Sequence, residues 1–332
     1  MNLAGFFHSS IGLYATQAFI HSLVASVVAE LAVKAWGIRD PAARQRVFLV
    51  PVAAPVFLYP LYQIFDPGRG STYFRLGTIF ESSRWLGLEV VGTHPAMGVL
   101  AVVFSITSLM FLFQEFVPIL RHYLEPARAG GTTEPIDWSG DPAVRDGLEA
   151  LPIAPPRVVV IDDDEPSVHS TFRKHATVIV SSGARDALTS EELRSAVAHE
   201  VGHVVRNRHP LLVPAYLLRA LMFFNPVALV EFRRVAQEEE KVCDEFAASL
   251  VRDRTALAGA LRKLYLSAES PAPERIRGTR ITAREIEERS HRLNIESRVA
   301  NLESGPEKDP WARRLLPIVV GMATVLINYY VV

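Results

Sequence analysis

His199-Glu200-Val201-Gly202-His203 follows directly on Leu188-Thr189-Ser190-Glu191-Glu192-Leu193-Arg194-Ser195-Ala196-Val197-Ala198, and these two stretches decide the fold. Four residues make about one helical turn, so His199 and His203 leave one face of a helix and can share one metal ion. Glu200 sits beside that face. There it can take a proton from a water whose pKa zinc has lowered to roughly 7. Thr189 is a helix N-cap, and Glu192 three residues later completes a capping box. Leu193, Ala196 and Val197 form the apolar face that leads into His199.

A tetrahedral catalytic zinc needs a third protein ligand and one open position. Downstream, Glu238-Glu239-Glu240-Lys241-Val242-Cys243-Asp244-Glu245-Phe246-Ala247-Ala248 reads as a second helix. Glu240 and Asp244 are spaced i, i+4 and share a face. Glu240 can ligate the metal, and Asp244 can accept the ring N–H of a ligating histidine. Glu238 and Glu239 compete for the ligand role, but both read as a solvated acidic face. Cys243 is the only cysteine, which excludes a disulfide framework and a cysteine-rich zinc site. Beside Val242 it reads as a buried thiol.

These motifs resemble those of the gluzincin membrane metallopeptidases. Two groups fit: the beta-lactam-sensor antirepressor peptidases and the HtpX-like quality-control peptidases. Phe223-Phe224-Asn225-Pro226 resembles an element that the first group carries between its zinc motifs. Glu240-Lys241-Val242-Cys243-Asp244 resembles its Glu-x-x-Cys-Asp. The resemblance covers roughly residues 150–250 at motif level and implies zinc bound by His199, His203 and Glu240. It also implies a strand along the active-site cleft that pairs with an extended substrate. The sensor group has a large extracellular domain after its last span. Here the chain ends at Val332 in an apolar segment, so direct beta-lactam sensing is not expected.

The chain is 49% hydrophobic with a formal net charge of −1, as suits a membrane protein with a polar insert; no nucleic-acid footprint is present. Four segments are long and apolar enough to span: Ile11–Trp36, Val47–Phe65, Met97–Leu120 and Leu315–Val332. Pro51, Pro55 and Pro60 break the second. The first is too long for a signal peptide and lacks the small-residue cleavage pattern. Lys34, Arg39, Arg44, Arg46, Arg121, Arg313 and Arg314 all fall on one side. By the positive-inside rule that side is the cytoplasm of a bacterial inner-membrane protein. Gln17, His21 and Glu30 are polar residues inside the spans; hydrogen bonding between helices explains them.

Residues 122–156 read as a connector. Arg157-Val158-Val159-Val160-Ile161 is a strand, the run Asp162–Glu165 a solvated turn, and His175-Ala176-Thr177-Val178-Ile179-Val180 a second strand leading through Gly183 to the zinc-motif helix. Thr177, Val178, Ile179 and Val180 are the expected substrate-pairing edge. His169 and His175 are weak ligand candidates. Leu211–Phe232 is apolar enough for a fifth span, but a single crossing would separate His203 from Glu240. It therefore reads as two short helices that turn near Asn225-Pro226 and return to the same face. Residues 251–314 read as helical and charged, with His291-Arg292 as candidates to steady an oxyanion.

The expected fold is α+β: a polytopic membrane bundle of about four spans and a mainly helical zincin-type domain with a small sheet. The expected domains are a three-span bundle at 1–120 with an outward loop at 66–96, a cytoplasmic metallopeptidase domain at 121–314, and a transmembrane helix at 315–332. The expected activity is zinc-dependent endopeptidase cleavage, with Glu200 as base and His291 assisting. The resemblance points to regulated cleavage of a cytosolic protein such as a transcriptional repressor. The alternatives are turnover of damaged membrane proteins and a non-catalytic zinc-stabilised transducer. Expected partners are a protein or peptide substrate, the lipid membrane and a second copy of the chain; direct nucleic-acid binding is not expected.

Overall fold

The computed structural model describes residues 3–66, 68, 85–90, 92–124, 136–137, 157–171, 177–206, 212–266, 283–305 and 309–331. Most of the loop 66–96 and His175 lie outside them. The chain forms two compact units. One comprises Met1–Arg128, Leu211–Glu238 and Lys308–Val332; the other comprises Ala129–Pro210 and Glu239–Glu307. Residues 211–238, expected within the metallopeptidase segment, group instead with the apolar helices.

In the first unit, Ser10–Ala35, Pro41–Phe65 and Pro95–Phe116 are helices long and apolar enough to cross a membrane. Asp40 starts the second by accepting from the Ala42 N–H at 3.0 Å, with Pro41 in the first turn. Pro51, Pro55 and Pro60 do not break this helix; they lie inside it. Each lacks one N–H, a loss that packed neighbours make tolerable in an apolar bundle. The third helix passes into a π turn at Leu112–Phe116 and continues as Val117–Leu124. The fourth expected span is the helix Leu316–Val331, of 16 residues. At about 24 Å it falls short of a core about 30 Å thick.

Ala15, Ala18, Ala25, Ala29 and Ala32 of the first long helix are buried, which lets neighbouring backbones come close. Ala29, Val33, Val47, Phe48, Leu316 and Val320 form one core cluster. His21 meets Asn328 at 2.9 Å, a polar contact between helices as expected.

Leu212–Leu221 and Pro226–Val251 are the two helices around Asn225. The turn lies where the sequence places it. Asn225 Oδ1 accepts from the N–H groups of Val227 (3.0 Å) and Ala228 (3.4 Å), and Pro226 takes the first helical position. This is why Asn-Pro starts a helix here. The second helix does not stop near Phe232. It is one 26-residue helix that includes the segment of Glu240 and Asp244.

The second unit carries a sheet of β1 (Ile136–Asp137), β2 (Arg157–Ile161), β3 (Val168–Thr171) and β4 (Thr177–Ser181), in the order β1-β2-β4-β3. β2 and β4 are parallel, while β3 runs antiparallel to β4. Val158, Val160, Val178 and Val180 pack into one core with Leu193, Ala196, Val197 and Val201 of the helix Ser190–Arg206. The Asp162–Glu165 turn is exposed, as expected. It sits so close to Gly183 that a Cβ there would lie 2.1 Å from the Asp164 carbonyl oxygen, so only glycine fits. A second core joins Ala247, Leu257, Leu261, Ile295, Val299 and Leu302. It draws together the helices Pro226–Val251, Arg254–Leu261 and Ala283–Ser304.

Candidate metal centre

The predicted capping box is present. The Thr189 N–H donates to Glu192 at 2.8 Å, and the Glu192 N–H donates to Thr189 Oγ1 at 3.3 Å. Lys263 Nζ adds a contact of 2.6 Å to Glu192. Burial would raise the Glu192 carboxyl, but Lys263 and Thr189 outweigh it and hold it below its usual range. This fixed start sets the rotation of the helix and so aims His199 and His203. Gly202 lets the ligand helix come close: a Cβ there would lie 3.2 Å from the Phe246 ring.

His199, His203 and Glu240 offer ligand atoms that all lie within 4.8 Å of one another. The two Nε2 atoms are 3.1 Å apart, and each lies 3.5 Å from a Glu240 carboxylate oxygen. Ligands about 2.05 Å from a tetrahedral zinc are about 3.3 Å apart, so the triad is spaced for such an ion. The formal charge agrees. Glu200, Glu240 and Asp244 against the guanidinium of Arg298 leave two negative charges, which one divalent cation balances.

Asp244 is fully buried, and its Oδ1 lies 2.9 Å from His199 Nδ1, out of line for a strong hydrogen bond. Its carboxylate is gripped by Arg298, with Nε 2.8 Å from Oδ2 and Nη2 2.7 Å from Oδ1. Arg298 also places Nη1 3.1 Å from Glu240 Oε2 and Nη2 3.2 Å from His199 Nε2. Burial disfavours a charged His199 ring, but Asp244 and Glu240 outweigh it and push the imidazole up to about 9 in the metal-free site. For Glu240, burial is outweighed by His199, His203 and Arg298, so its carboxyl is held far below the usual range. Arg298 and His199 hold Asp244 down in the same way, against burial.

His203 has a different neighbour: Cys243 Sγ lies 3.6 Å from its Nδ1 and 4.0 Å from Glu239 Oε1. The thiol is buried, as the sequence suggests. The solvated acidic face does not exist. Glu238 and Glu239 are 4% and 7% exposed. Glu238 pairs with Arg44 at 2.8 Å, and the helix turns Glu239 inward toward Cys243.

Two expectations need correction. Thr177, Val178, Ile179 and Val180 offer no free edge, because β4 is paired to β2 on one side and β3 on the other. Val178 and Val180 are wholly buried. Among the described residues the strand left with an open side next to β4 is β3, and the zinc-motif helix packs against it. The Ser181 N–H donates to the Ser167 carbonyl at 3.0 Å, which marks the pair as hydrogen-bonded. By alternation, His169 and Thr171 bond to β4, while Val168 and Ser170 turn their N–H and carbonyl groups outward. His169 is exposed and does not join the metal triad.

His291 is exposed and meets Tyr265 edge-on at 5.7 Å rather than the metal triad. Among the described residues of this helix, Arg298 reaches the site. It lies seven residues on, two turns along the same helix face. Its signal is a charge on the buried stripe Ile295, Val299, Leu302 of an otherwise polar helix. Tyr265 is the other residue the sequence does not single out. Tyr265 is 40% exposed, and the covered part of its ring, then the nearby Glu200 carboxylate, push its phenol up.

Residues 148–306, just under half of the chain, match the family model "Peptidase family M48". The chain is 38% identical over 81 residues to a "Protease HtpX homolog" of Acidiphilium cryptum, covering 23% of this chain and 28% of that one. It is 29% identical over 131 residues to one of Lactiplantibacillus plantarum, covering 39% and 40%. It is 28% identical over 160 residues to one of Lactobacillus acidophilus, covering 46% and 48%. The chain thus spans half or less of the length of these relatives. The family match and the triad together support a metallopeptidase.

Proposed function

We propose that the chain is a membrane-embedded zinc endopeptidase whose site is His199, Glu200, His203, Glu240, Asp244 and Arg298. The observation that carries this reading is the triad itself, with the general base Glu200 built into its helix. A zinc ion held by His199, His203 and Glu240 would supply the Lewis acidity that makes water nucleophilic near neutral pH. Glu200 takes a proton from the attacking water and delivers it to the leaving amine. Asp244 fixes the ring of His199, and Arg298 fixes Asp244. An extended substrate pairs with the outward groups of Val168 and Ser170 on β3, rather than with β4. Glu200 also weighs against a non-catalytic transducer, because a structural zinc site has no need of a base.

Three long apolar helices support placement in a membrane. The charge bias of the sequence supports a cytoplasmic peptidase unit in a bacterial membrane. The matched relatives carry the HtpX name, which favours an HtpX-like enzyme acting on membrane proteins over an antirepressor. The Asn225-Pro226 element that suggests the antirepressor role has a local purpose as a helix start. Cleavage of a repressor remains a second reading. Zinc-loaded protein in detergent or lipid, offered an unfolded membrane protein and a folded repressor, separates them. Selective cleavage of the unfolded substrate supports the first. No cleavage of any protein or peptide overturns the peptidase reading.

A further inference from the structure

We propose that residues 212–232 form a re-entrant hairpin that enters the bilayer and turns back near its middle, its outer face packed against lipid acyl chains. The proposal rests on the membrane placement of the long apolar helices stated above.

Burial in this segment is inverted. Val213, Leu217 and Leu221, spaced i, i+4, i+8 on one face, are 61%, 58% and 61% exposed, while Arg219 is 0% exposed. A helix in water shows the reverse. Apolar outside and charge inside is the arrangement that hydrocarbon favours. The charge has partners within the bundle. Arg219 Nη2 lies 3.4 Å from Glu115 Oε1, Nη1 donates to the Met222 carbonyl at 3.3 Å, and the guanidinium stands 5.1 Å over the Phe111 ring. Asn225 and Glu231 also point inward, 0% and 2% exposed.

The depth of the turn can be read from its neighbours. Asn225 Nδ2 donates to Ser22 Oγ at 2.8 Å and to the Ala18 carbonyl at 3.4 Å. Ser22 is midway along the helix Ser10–Ala35. The Phe224 ring lies 5.4 Å from that of Phe104, midway along Pro95–Phe116. The tip therefore sits at the middle of two helices that are each long enough to span.

Both arms open at the same end. The end of the first arm and the turn after it follow Pro95–Phe116 inward: Arg219 meets Glu115, the Phe223 ring is 6.1 Å from that of Phe111, and Phe224 reaches Phe104. The second arm follows Ser10–Ala35 the other way. Ser26 Oγ donates to Glu231 at 2.6 Å, and Arg234 meets Glu30 at 3.2 Å. The ten-residue first arm is about 15 Å long, half of a core about 30 Å thick. Lipid, rather than a protein groove, is the occupant. Val102, Ile106, Leu109 and Phe113 of the adjoining long helix are apolar and exposed as well, so hydrocarbon is what both elements present outward.

The test uses the full chain in vesicles of phosphatidylethanolamine and phosphatidylglycerol. A diazirine amino acid replaces Leu217, Val102 or Glu191 in turn, and adducts are identified by mass spectrometry after illumination. Val102 is the control for the long helices, and Glu191 is an exposed control in the other unit. Acyl-chain adducts at Leu217 within about twofold of those at Val102, and none at Glu191, are the expected result, since both would be immersed in hydrocarbon. Adducts at Val102 with only water addition or chain-to-chain cross-links at Leu217 would overturn the hairpin alone. Lipid adducts at neither position would overturn the membrane placement itself, and the hairpin with it.

Discussion

Arg298 holds Asp244 at two points, Nε to Oδ2 at 2.8 Å and Nη2 to Oδ1 at 2.7 Å, in a site where Asp244 is fully buried. The same guanidinium reaches Glu240 at 3.1 Å. One residue of the helix Ala283–Ser304 thus positions both acidic groups of the ligand helix. The buried Asp244 carboxylate is tolerable because this fork, with the His199 ring beside it, compensates its charge.

Arg298→Ala should therefore destabilise the peptidase unit by about 3–5 kcal/mol, the usual result of leaving a buried charge unpaired. Arg298→Lys should recover part of the stability but not the two-point hold. Denaturant midpoints of the metal-free proteins check this. Equal midpoints for wild type and Arg298→Ala would show that the pair holds nothing.

Glu200→Gln keeps the size of the side chain but removes the base. Metal content should remain near that of the wild type while peptide hydrolysis falls by roughly 10²–10⁴-fold. Elemental analysis and a fluorogenic peptide assay on one preparation measure both. Full activity in this variant would mean that Glu200 moves no proton.

Along the ligand helix, Glu240→Ala should lose metal and activity together. Asp244→Asn should weaken metal binding or activity by about 10–100-fold, as an orienting partner does. Glu239→Ala should keep its metal but lower thermal stability, because the carboxylate is buried against Cys243 rather than solvated. Loss of zinc from Glu239→Ala with retention in Glu240→Ala would exchange the two roles.

Local pattern made much of this legible. The capping box, the one-turn spacing of His199 and His203, and the one-turn spacing of Glu240 and Asp244 are properties of single helices, so sequence distance reports them directly. The three long apolar helices are legible for the same reason. β3 was not: Val168-His169-Ser170-Thr171 is short and half polar, and only its pairing with β4 makes it a strand. Misreading β4 as an edge followed from missing β3. Arg298 was hidden because its partners lie 54 or more residues away in the chain. The acidic run Glu238–Glu240 looked solvated because composition cannot show that Arg44 and Cys243 await its inward faces.

The corrected edge makes its own prediction. Ser170→Pro removes an N–H that points away from β4, so the β3–β4 ladder should survive while a backbone bond to substrate is lost. One hydrogen bond of about 1 kcal/mol corresponds to a fall in kcat/KM of about fivefold, with metal content unchanged. Turnover equal to wild type would rule out β3 as the substrate edge. Proline at Val178 would not be informative, since it would break a strand paired on both sides.

The metal-free site should respond to pH in two opposite ways. His199 is raised from 6.5 to about 9, so its contribution to folding is fully present below pH 6.5 and disappears as pH rises through 9. Glu240 is lowered from its usual 4.5, so its contribution is present above pH 4.5 and lost as pH falls through its folded value. From these two groups, the metal-free protein should be most stable between pH 4.5 and 6.5. Metal binding has the other sign. At pH 7 a proton must leave His199 before its ring can ligate, so each zinc bound should release about one proton from this residue. Apparent affinity should then rise about tenfold per pH unit up to pH 9 and level off above it. Calorimetric titration with zinc in two buffers of different ionisation enthalpy counts the protons. No proton release at pH 7 would show that His199 is already neutral in the metal-free protein, and that Asp244 and Glu240 do not hold its proton.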